Sequence, residues 1–375
     1  MKNTIKKTTL LAFGALCAFS SQASSIYSKD NTKLDIFGYA RALVGNNNIS
    51  QDSSSYTNTY NDNTSLFDAR LGFSGRSQIH DGLDGIMLAV FDTGTRSDTD
   101  FKNQYLFVGL DAYEYGSLLL GKGDGAYYTV AGSQDVFSFF QSRANDYYLT
   151  GDRLPSQIMY SLSALGFDLR LNYSLRDSRV NDTPFSIKEN IGAAISSQFG
   201  VITLAYGINY TDFSNKHQED SATMASFFAP IIQNVYNLDL IDATNYYYKN
   251  GPSHKTDMGL ALSYGVMGRG YYASLAYTLT DYQHIDHKLY TYEFVNNYSF
   301  ESGIGITTGY ALKTYSGNAI VSDLTLGTYY NVNAAFRLFA EAQISAHAKP
   351  ESFYGEKTSN YLSQDKYVLG IEYNF

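Results

Sequence analysis

The chain has 375 residues, 44% of them hydrophobic, with 35 Tyr, 23 Phe and 31 Gly against 5 Pro, no Trp, a single Cys and a formal net charge of −9 at pH 7. An acidic balance argues against a nucleic-acid partner, whose phosphates call for basic patches, and one cysteine cannot form an internal disulfide or a thiolate metal site. Beyond the N-terminal stretch nothing approaches the ~18 to 20 uninterrupted apolar residues of a membrane-spanning helix.

The chain opens with Lys2, Lys6 and Lys7, an apolar run from Leu10 to Phe19, and small residues at Ser21 and Ala23. This is the plan of a secretory signal peptide over 1–23, cleaved after Ala23 and exported through the Sec pathway. A lipoprotein reading of Cys17 is disfavoured by Leu16, which stands where a small residue is needed. Removal of the leader takes away three lysines and no acid, moving the charge from −9 to −12 and leaving no cysteine in 24–375. That remainder shows no internal repeat or linker and reads as one domain.

Period-two alternation then runs through almost the whole chain. In 167–176, Phe167, Leu169, Leu171, Tyr173 and Leu175 alternate with Asp168, Arg170, Asn172, Ser174 and Arg176. In 201–210, Ile202, Leu204, Tyr206, Ile208 and Tyr210 alternate with Thr203, Ala205, Gly207 and Asn209. Strands are expected near 33–44, 66–78, 84–93, 102–111, 116–122, 153–163, 166–176, 188–199, 201–212, 254–266, 270–281, 288–299, 303–315, 319–331, 333–346 and 365–375. A soluble sandwich also alternates, but with shorter strands whose apolar faces must meet one another. Strands of ~9 to 11 residues with one apolar face suit lipid, where a closed barrel pairs every backbone group. The expected fold is all-β: a 16-stranded antiparallel transmembrane β-barrel.

Connections alternate in length. Short ones such as HDGLDG near 80–85, MGRG at 267–270 and NVN at 331–333 follow even strands, and longer polar ones near 45–65, 123–152, 213–253 and 347–364 follow odd strands. This is the pattern of periplasmic turns and outer loops, with both termini in the periplasm. The 123–152 loop carries Phe137, Phe139 and Phe140, too apolar for water, and is expected to fold back into the barrel. The 213–253 loop contains MASFFAPIIQNVYNLDLI at roughly helical spacing. Three courses stand open for it: capping the mouth, packing on a neighbouring subunit, or entering the lumen.

The last strand sets Tyr367, Leu369, Ile371, Tyr373 and Phe375 on one face and Val368, Gly370, Glu372 and Asn374 on the other. Exposed in water, such an edge invites aggregation; in a barrel it pairs with the first strand, and its terminal aromatic faces are read as the assembly signal.

At this point the chain resembles the general, non-specific porins of Gram-negative bacteria. The segments that carry the resemblance are SSIYSKDNTKLDIFGYA, FDARLGFSGRSQIHDGLDG, FVGLDAYEYGSLLLGKGDGAYY, DRLPSQIMYSLSALGFDLRLNYSLRD and YVLGIEYNF, in that order. The resemblance implies a homotrimer of sixteen-stranded barrels in the outer membrane, each narrowed by an inward-folded third long loop. It implies lipid and lipopolysaccharide neighbours, insertion by the barrel-assembly machinery, passage of ions and small hydrophilic solutes, and no cofactor, metal or enzymatic step.

The same resemblance assigns the pore constriction. Asp135 matches the family's loop acid; Arg70 and Arg153 match wall arginines, and Lys122 a basic residue ending the fifth strand. Parity agrees for Arg70, opposite in phase to Ala69, Leu71 and Phe73, and for Arg153, in phase with Gln157 and Ser161, while Lys122 shares phase with Leu118 and Leu120 and its direction stays open. Arg41, Asp35, Asp168 and Arg170 are candidate lumen charges, for which a structural ion pair away from the narrowest point is the plainer reading. Several positions depart from the family. Phe139 replaces the second loop acid within Ser138–Ser142, Gln104 stands for a fourth-strand arginine, and Tyr39 for a basic residue of the first strand. Pro155 lacks a ladder donor, so pairing is expected to begin after it. A more aromatic, less charged constriction with weak ion preference is the expectation, because salt screens charges beyond ~8 Å.

Two other functions compete with this one, and a third can accompany it. A sugar-specific channel would use Tyr and Phe to stack on rings, though interface girdles account for aromatics and Trp is absent. A barrel hydrolase needs an oriented base, yet His80, His217, His254, His284, His287 and His347 fall mostly in turns and loops, and the pair in DYQHIDH is more simply a solvent-exposed turn than a metal site. Adhesion or phage reception by outer loops is compatible with a pore.

Overall fold

The computed structural model describes residues 23–46, 63–93, 101–144, 153–175, 187–213 and 218–375. Residues 1–22 of the expected leader and 145–152 of the third outer loop lie outside that set.

Among the described residues seventeen antiparallel strands are present: β1 Ser24–Lys29, β2 Thr32–Asn46, β3 Asn63–His80, β4 Leu83–Asp92, β5 Lys102–Asp111, β6 Ser117–Gly123, β7 Leu154–Ala164, β8 Phe167–Ser174, β9 Glu189–Phe199, β10 Ile202–Asp212, β11 His254–Val266, β12 Arg269–Tyr282, β13 Leu289–Ser299, β14 Ile304–Tyr315, β15 Asn318–Asn331, β16 Phe336–Ser345 and β17 Lys366–Asn374. Each of β2–β17 pairs with its sequence neighbours, and β17 returns to β2 from Val368↔Gly45 to Asn374↔Tyr39, closing a ring of sixteen. Closure leaves none of these strands as an open edge, the condition for a sheet to stand in hydrocarbon.

β1 was not among the expected strands. It pairs with Thr32–Ile36 of β2 through a two-residue turn, Asp30–Asn31, with φ of 50° and 55°. Two successive positive φ values give the primed turn that matches strand twist. β1 therefore occupies the part of β2 that lies beyond Phe375, whose N–H and carbonyl exchange 3.0 Å bonds with Gly38.

The alternation resolves into an outer lipid face and an inner face. Along β17, Leu369 is 62% exposed and Val368 1%; along β10, Ile202, Leu204 and Tyr206 point out while Ala205, Asn209 and Thr211 are buried within. One rim has short turns, such as 165–166 and 200–201, and the other carries the long loops. The long-loop rim has one exception, a two-residue Ser316–Gly317 turn in which both residues have positive φ. At β7 the ladder includes Leu154, then shifts register across Pro155 and resumes at Gln157.

The single helical turn α1, Tyr128–Ala131, lies in the third outer loop, and the described part of the 213–253 connection holds α2 Gln218–Tyr236 and α3 Leu240–Asn250, with Asp239 capping α3 through Asp242 N–H at 2.8 Å, its carboxylate oxygen accepting. On α2, Met224, Phe228, Ala229, Ile231 and Ile232 form a buried stripe. That stripe packs on Tyr282, Leu289, Tyr315, Ile320 and Val321 at the long-loop ends of β12–β15, and on Phe353, Tyr354 and Leu362 of the 346–365 connection. Asn234 donates to the Tyr354 carbonyl at 2.7 Å. Within its own chain the segment therefore caps the mouth. Ile285 of DYQHIDH enters the same core, with His284 and His287 exposed on either side.

Candidate pore constriction

Between β6 and β7 the described part of the third outer loop runs along the inner face of the barrel, touching strand after strand. Ala126 N–H donates to Asn172 Oδ1 of β8 at 2.7 Å. A single helical turn, Tyr128–Ala131, follows, with Tyr127 and Val130 lying on Gly207 of β10 and Gly259 of β11. Gln134 donates to the Ser274 hydroxyl of β12 at 2.7 Å, and Tyr272 Oη to the Ser133 carbonyl at 2.8 Å. Phe137 lies on Gly309 of β14 and Gly327 of β15. Arg143 ends the course in a double contact with Asp323 of β15, 2.7 Å from Nε, while its Nη1 donates to the Tyr361 and Gln364 carbonyls.

The tip is clasped from two strands. Glu341 of β16 accepts from three successive backbone N–H groups, those of Ser138, Phe139 (3.0 Å) and Phe140 (2.9 Å), the arrangement by which consecutive amides hold an anion. Arg41 of β2 donates to the Ser138 carbonyl at 2.9 Å. Phe139 and Phe140 meet edge to face and enter a buried cluster with Leu43, Leu66, Tyr329, Phe339 and Val368. Phe139 thus fixes the tip to the wall, with the Arg41 guanidinium 5.4 Å from its ring centre.

On the wall, Arg70 Nη2 donates to Asp92 at 3.1 Å, Gln104 Nε2 to the other Asp92 oxygen at 2.9 Å, and Arg153 Nη1 to Gln104 Oε1 at 2.8 Å. Three of the expected wall residues are therefore joined, through an acid that patterning had not marked. Gln104 reaches this chain because a register shift leaves it between Tyr105, opposite Val90, and Asn103, opposite Phe91; such a bulge re-aims a side chain. Tyr39 lies between two cations, its ring centre 5.1 Å from Arg41 Cζ and 5.2 Å from Arg70 Cζ.

Arg41 itself binds Asp68 through two bonds, 2.9 Å at Nε, and stands 3.9 Å from Glu372. In the ladder Arg337, Glu372, Arg41 and Asp68 are successive Cα partners across β16, β17, β2 and β3, so charge alternates from strand to strand. One rung nearer the short turns the inner face becomes apolar, with Phe37, Leu88, Val90, Phe107, Leu119 and Met159. The charged rungs form a narrow belt.

Asp135 is exposed between buried Gln134 and Val136, so it faces away from the wall its loop is docked on, and it accepts from Tyr128 Oη at 3.0 Å. Lys122 keeps the phase of the outward Leu118 and Leu120 and donates to the Asn103 carbonyl at 2.8 Å. Asp35 pairs with Lys33 at 2.7 Å, Asp168 accepts from Ser163, and Arg170 stands opposite Ser161, toward the short-turn rim. Asp68, Asp92, Glu341 and Glu372 complete the belt. Their inward parity was readable, but only pairing register brings Asp68, Asp92 and Glu372 to their arginines, and only the docked loop tip brings Glu341 its three amides. Tyr367, Leu369, Ile371, Tyr373 and Phe375 all lie on the outer face.

A family model described as Gram-negative porin matches residues 8–375. The outer membrane porin PhoE of Escherichia coli (strain K12) is 24% identical over 99% of this chain and 100% of its own length, and the outer membrane porin protein OmpD of Citrobacter koseri is 25% identical over 98% and 97%. Among solved structures, OmpF of Salmonella typhi in complex with daunomycin superposes with a TM-score of 0.70 at 17% identity, covering 94% of this chain and all of that one. OmpT of Vibrio cholerae superposes with a TM-score of 0.62 at 13% identity, over 94% and 100%.

Proposed function

Because this chain belongs to the Gram-negative porin family, we propose that its channel is narrowed between Asp135 on the inward loop and the Arg70, Gln104 and Arg153 wall, and that this passage is only weakly ion-selective. The protein is an outer-membrane porin, a water-filled channel for passive diffusion of ions and small hydrophilic solutes. What carries the narrower reading is the chain Arg70–Asp92–Gln104–Arg153. An acid stands beside Arg70 and an uncharged amide beside Arg153, while Arg41 faces Asp68 and Glu372. With Arg337, four arginines stand in the belt with four acids, Asp68, Asp92, Glu341 and Glu372, so little transverse field is left for a passing ion to feel.

The reading includes a homotrimer held by the outer face of β2–β4. In its support, that face carries Gly38, Ala40, Ala42, Ala69, Gly75 and Ala89, whereas β11–β13 turn Leu260, Leu262, Leu275, Tyr277, Tyr292 and Phe294 outward. Small residues let backbones approach within a membrane, and large ones suit lipid. It also includes cleavage after Ala23, lipopolysaccharide around the barrel, and insertion by the assembly machinery, for which the outward row Tyr367, Leu369, Ile371, Tyr373 and Phe375 is the proposed signal.

The test is the single-channel reversal potential across a salt gradient in planar bilayers. A value near zero, shifted slightly toward anions by Asp135→Asn, is expected. Strong selectivity that persists in Asp135→Asn would overturn the assignment.

A further inference from the structure

Four glycines on the inner face, Gly207, Gly259, Gly309 and Gly327, sit in the middle of β10, β11, β14 and β15, where glycine weakens a strand and branched side chains are favoured. None of the four has a positive φ, so their backbones would accept any residue. What they lack is room. A Cβ at Gly309 would stand 2.9 Å and 3.1 Å from the Phe137 ring, and one at Gly327 3.2 Å from it. A Cβ at Gly259 would stand 2.7 Å from Tyr127 Oη and 2.9 Å from Val130 Cγ1, and at Gly207 3.2 Å and 3.3 Å from Val130 and Tyr127. Two pairs of neighbouring strands thus each form a shallow socket, one for Tyr127 and Val130 at the start of the loop and one for Phe137 just before its tip.

The sockets matter because of what surrounds them. Between them the loop is tied to Ser274 and Tyr272, and beyond Phe137 its tip is clasped by Glu341 and Arg41. Behind each socket is the strand backbone, and beyond that lipid. A side chain added to the socket floor pushes the loop in one direction, toward the barrel axis. Asp135 lies two residues before Phe137 on the side facing away from the wall, so a shift at the second socket carries it inward.

We propose that Gly259, Gly309 and Gly327 are aperture-setting positions: by letting Tyr127, Val130 and Phe137 sink against the strand backbone, they fix how far the inward loop stands from the wall and hence how wide the channel is. This rests on the reading that the loop lines the channel. Pore width here is a property of the far wall, at residues that touch no solute.

The experiment compares single-channel conductance and exclusion of neutral polyethylene glycols of graded size for wild type, Gly309→Ala, Gly327→Ala, Gly309→Ala with Phe137→Leu, and a variant in which 133–142 is replaced by a short Gly-Ser linker. Only variants that keep the folded barrel's electrophoretic mobility are scored, and Gly327→Ala, the looser site, stands in should Gly309→Ala fail to fold. Gly309→Ala is expected to lower conductance by roughly a tenth to a third, the effect of a shift of up to about 1 Å in a narrow aqueous pore, and to exclude smaller polymers. The added Phe137→Leu should restore both. Wild-type conductance in both alanine variants, or a loss that Phe137→Leu leaves untouched, overturns the inference while the loop reading stands, provided the linker variant conducts more than wild type. A linker variant with unchanged conductance overturns both.

Discussion

Lys255–Asp257 on β11 and Arg70–Asp92 on β3 and β4 are both inward-facing ion pairs of similar length, 3.0 Å and 3.1 Å, yet the side chains of the first are 0% and 1% exposed and those of the second 20% and 13%. Sequence phase treats the two alike. What separates them is the cover: the loop from Ala126 to Phe140 lies along β8–β16 and the α2–α3 cap closes over the ends of β12–β15, whereas the Arg70–Asp92–Gln104–Arg153 chain on the opposite wall faces the space the loop leaves. Facing inward makes a charge a lumen charge only where no second layer of protein lies across it. Under the cover, Asp257 also accepts from Thr280 at 2.7 Å, so its bonds are met by protein; on the open side, water and passing ions share that task.

Removing one partner from each pair should widen the contrast. Asp257→Ala leaves Lys255 buried without its carboxylate, a loss of about 3–5 kcal/mol, and should lower the temperature at which the folded barrel converts to its denatured mobility on gels. Asp92→Ala, in a hydrated setting, should cost under about 1 kcal/mol and instead move the reversal potential toward anions. Equal thermal losses in the two variants would erase the distinction between walls.

A smaller effect is expected where cover and belt meet. Glu341→Gln keeps the shape and an acceptor oxygen but removes the charge that three amides share, weakening each bond from about 1.5–3 kcal/mol toward the roughly 0.5–1.5 kcal/mol of a neutral one. The barrel should stay folded while the tip loosens, read as greater open-channel current noise and more frequent brief closures. A quiet channel would show that Phe139 and Phe140 hold the tip unaided.

The smallest effect concerns the cap. Burial pushes the phenols of Tyr236 and Tyr247 from 10.0 up to about 12, and Tyr246 adds to the shift at Tyr236. A raised phenol favours the folded state fully below pH 10 and loses that contribution as pH climbs through about 12. Limited proteolysis of the α2–α3 segment should therefore be constant from pH 7 to 10 and quicken above it; quickening that begins near neutrality would point to other groups.

Much of this was legible in the sequence. Strict alternation marked the sixteen ring strands, and the Tyr367–Phe375 strand gave the outer face correctly, because lipid on one side enforces a two-residue period along every strand. β1 escaped because Ser24–Lys29 is exposed throughout and has no apolar face to announce it; the Asp30–Asn31 turn was the available clue. Asp92 and Glu372 could be placed inside but not beside Arg70 and Arg41, since partnership depends on register between strands. Gln104 lies at a bulge, where alternation itself breaks. The cap's helical spacing was visible, but the surface it covers is assembled from distant strand ends.

The seam between β17 and β2 has a kinetic consequence. Gly38 meets Phe375 at 3.0 Å in both directions, and a side chain at Gly38 would collide with the Arg70 carbonyl and the Phe375 ring. These partners lie at nearly opposite ends of the ring's sequence, so the contact with the largest loop-closure cost is also the one that completes the cylinder. Hairpins can zip early and locally; the last rung waits for all of them. A defect near Gly38 should therefore appear as slow or stalled closure, with open-edged intermediates accumulating, well before it appears as an altered pore.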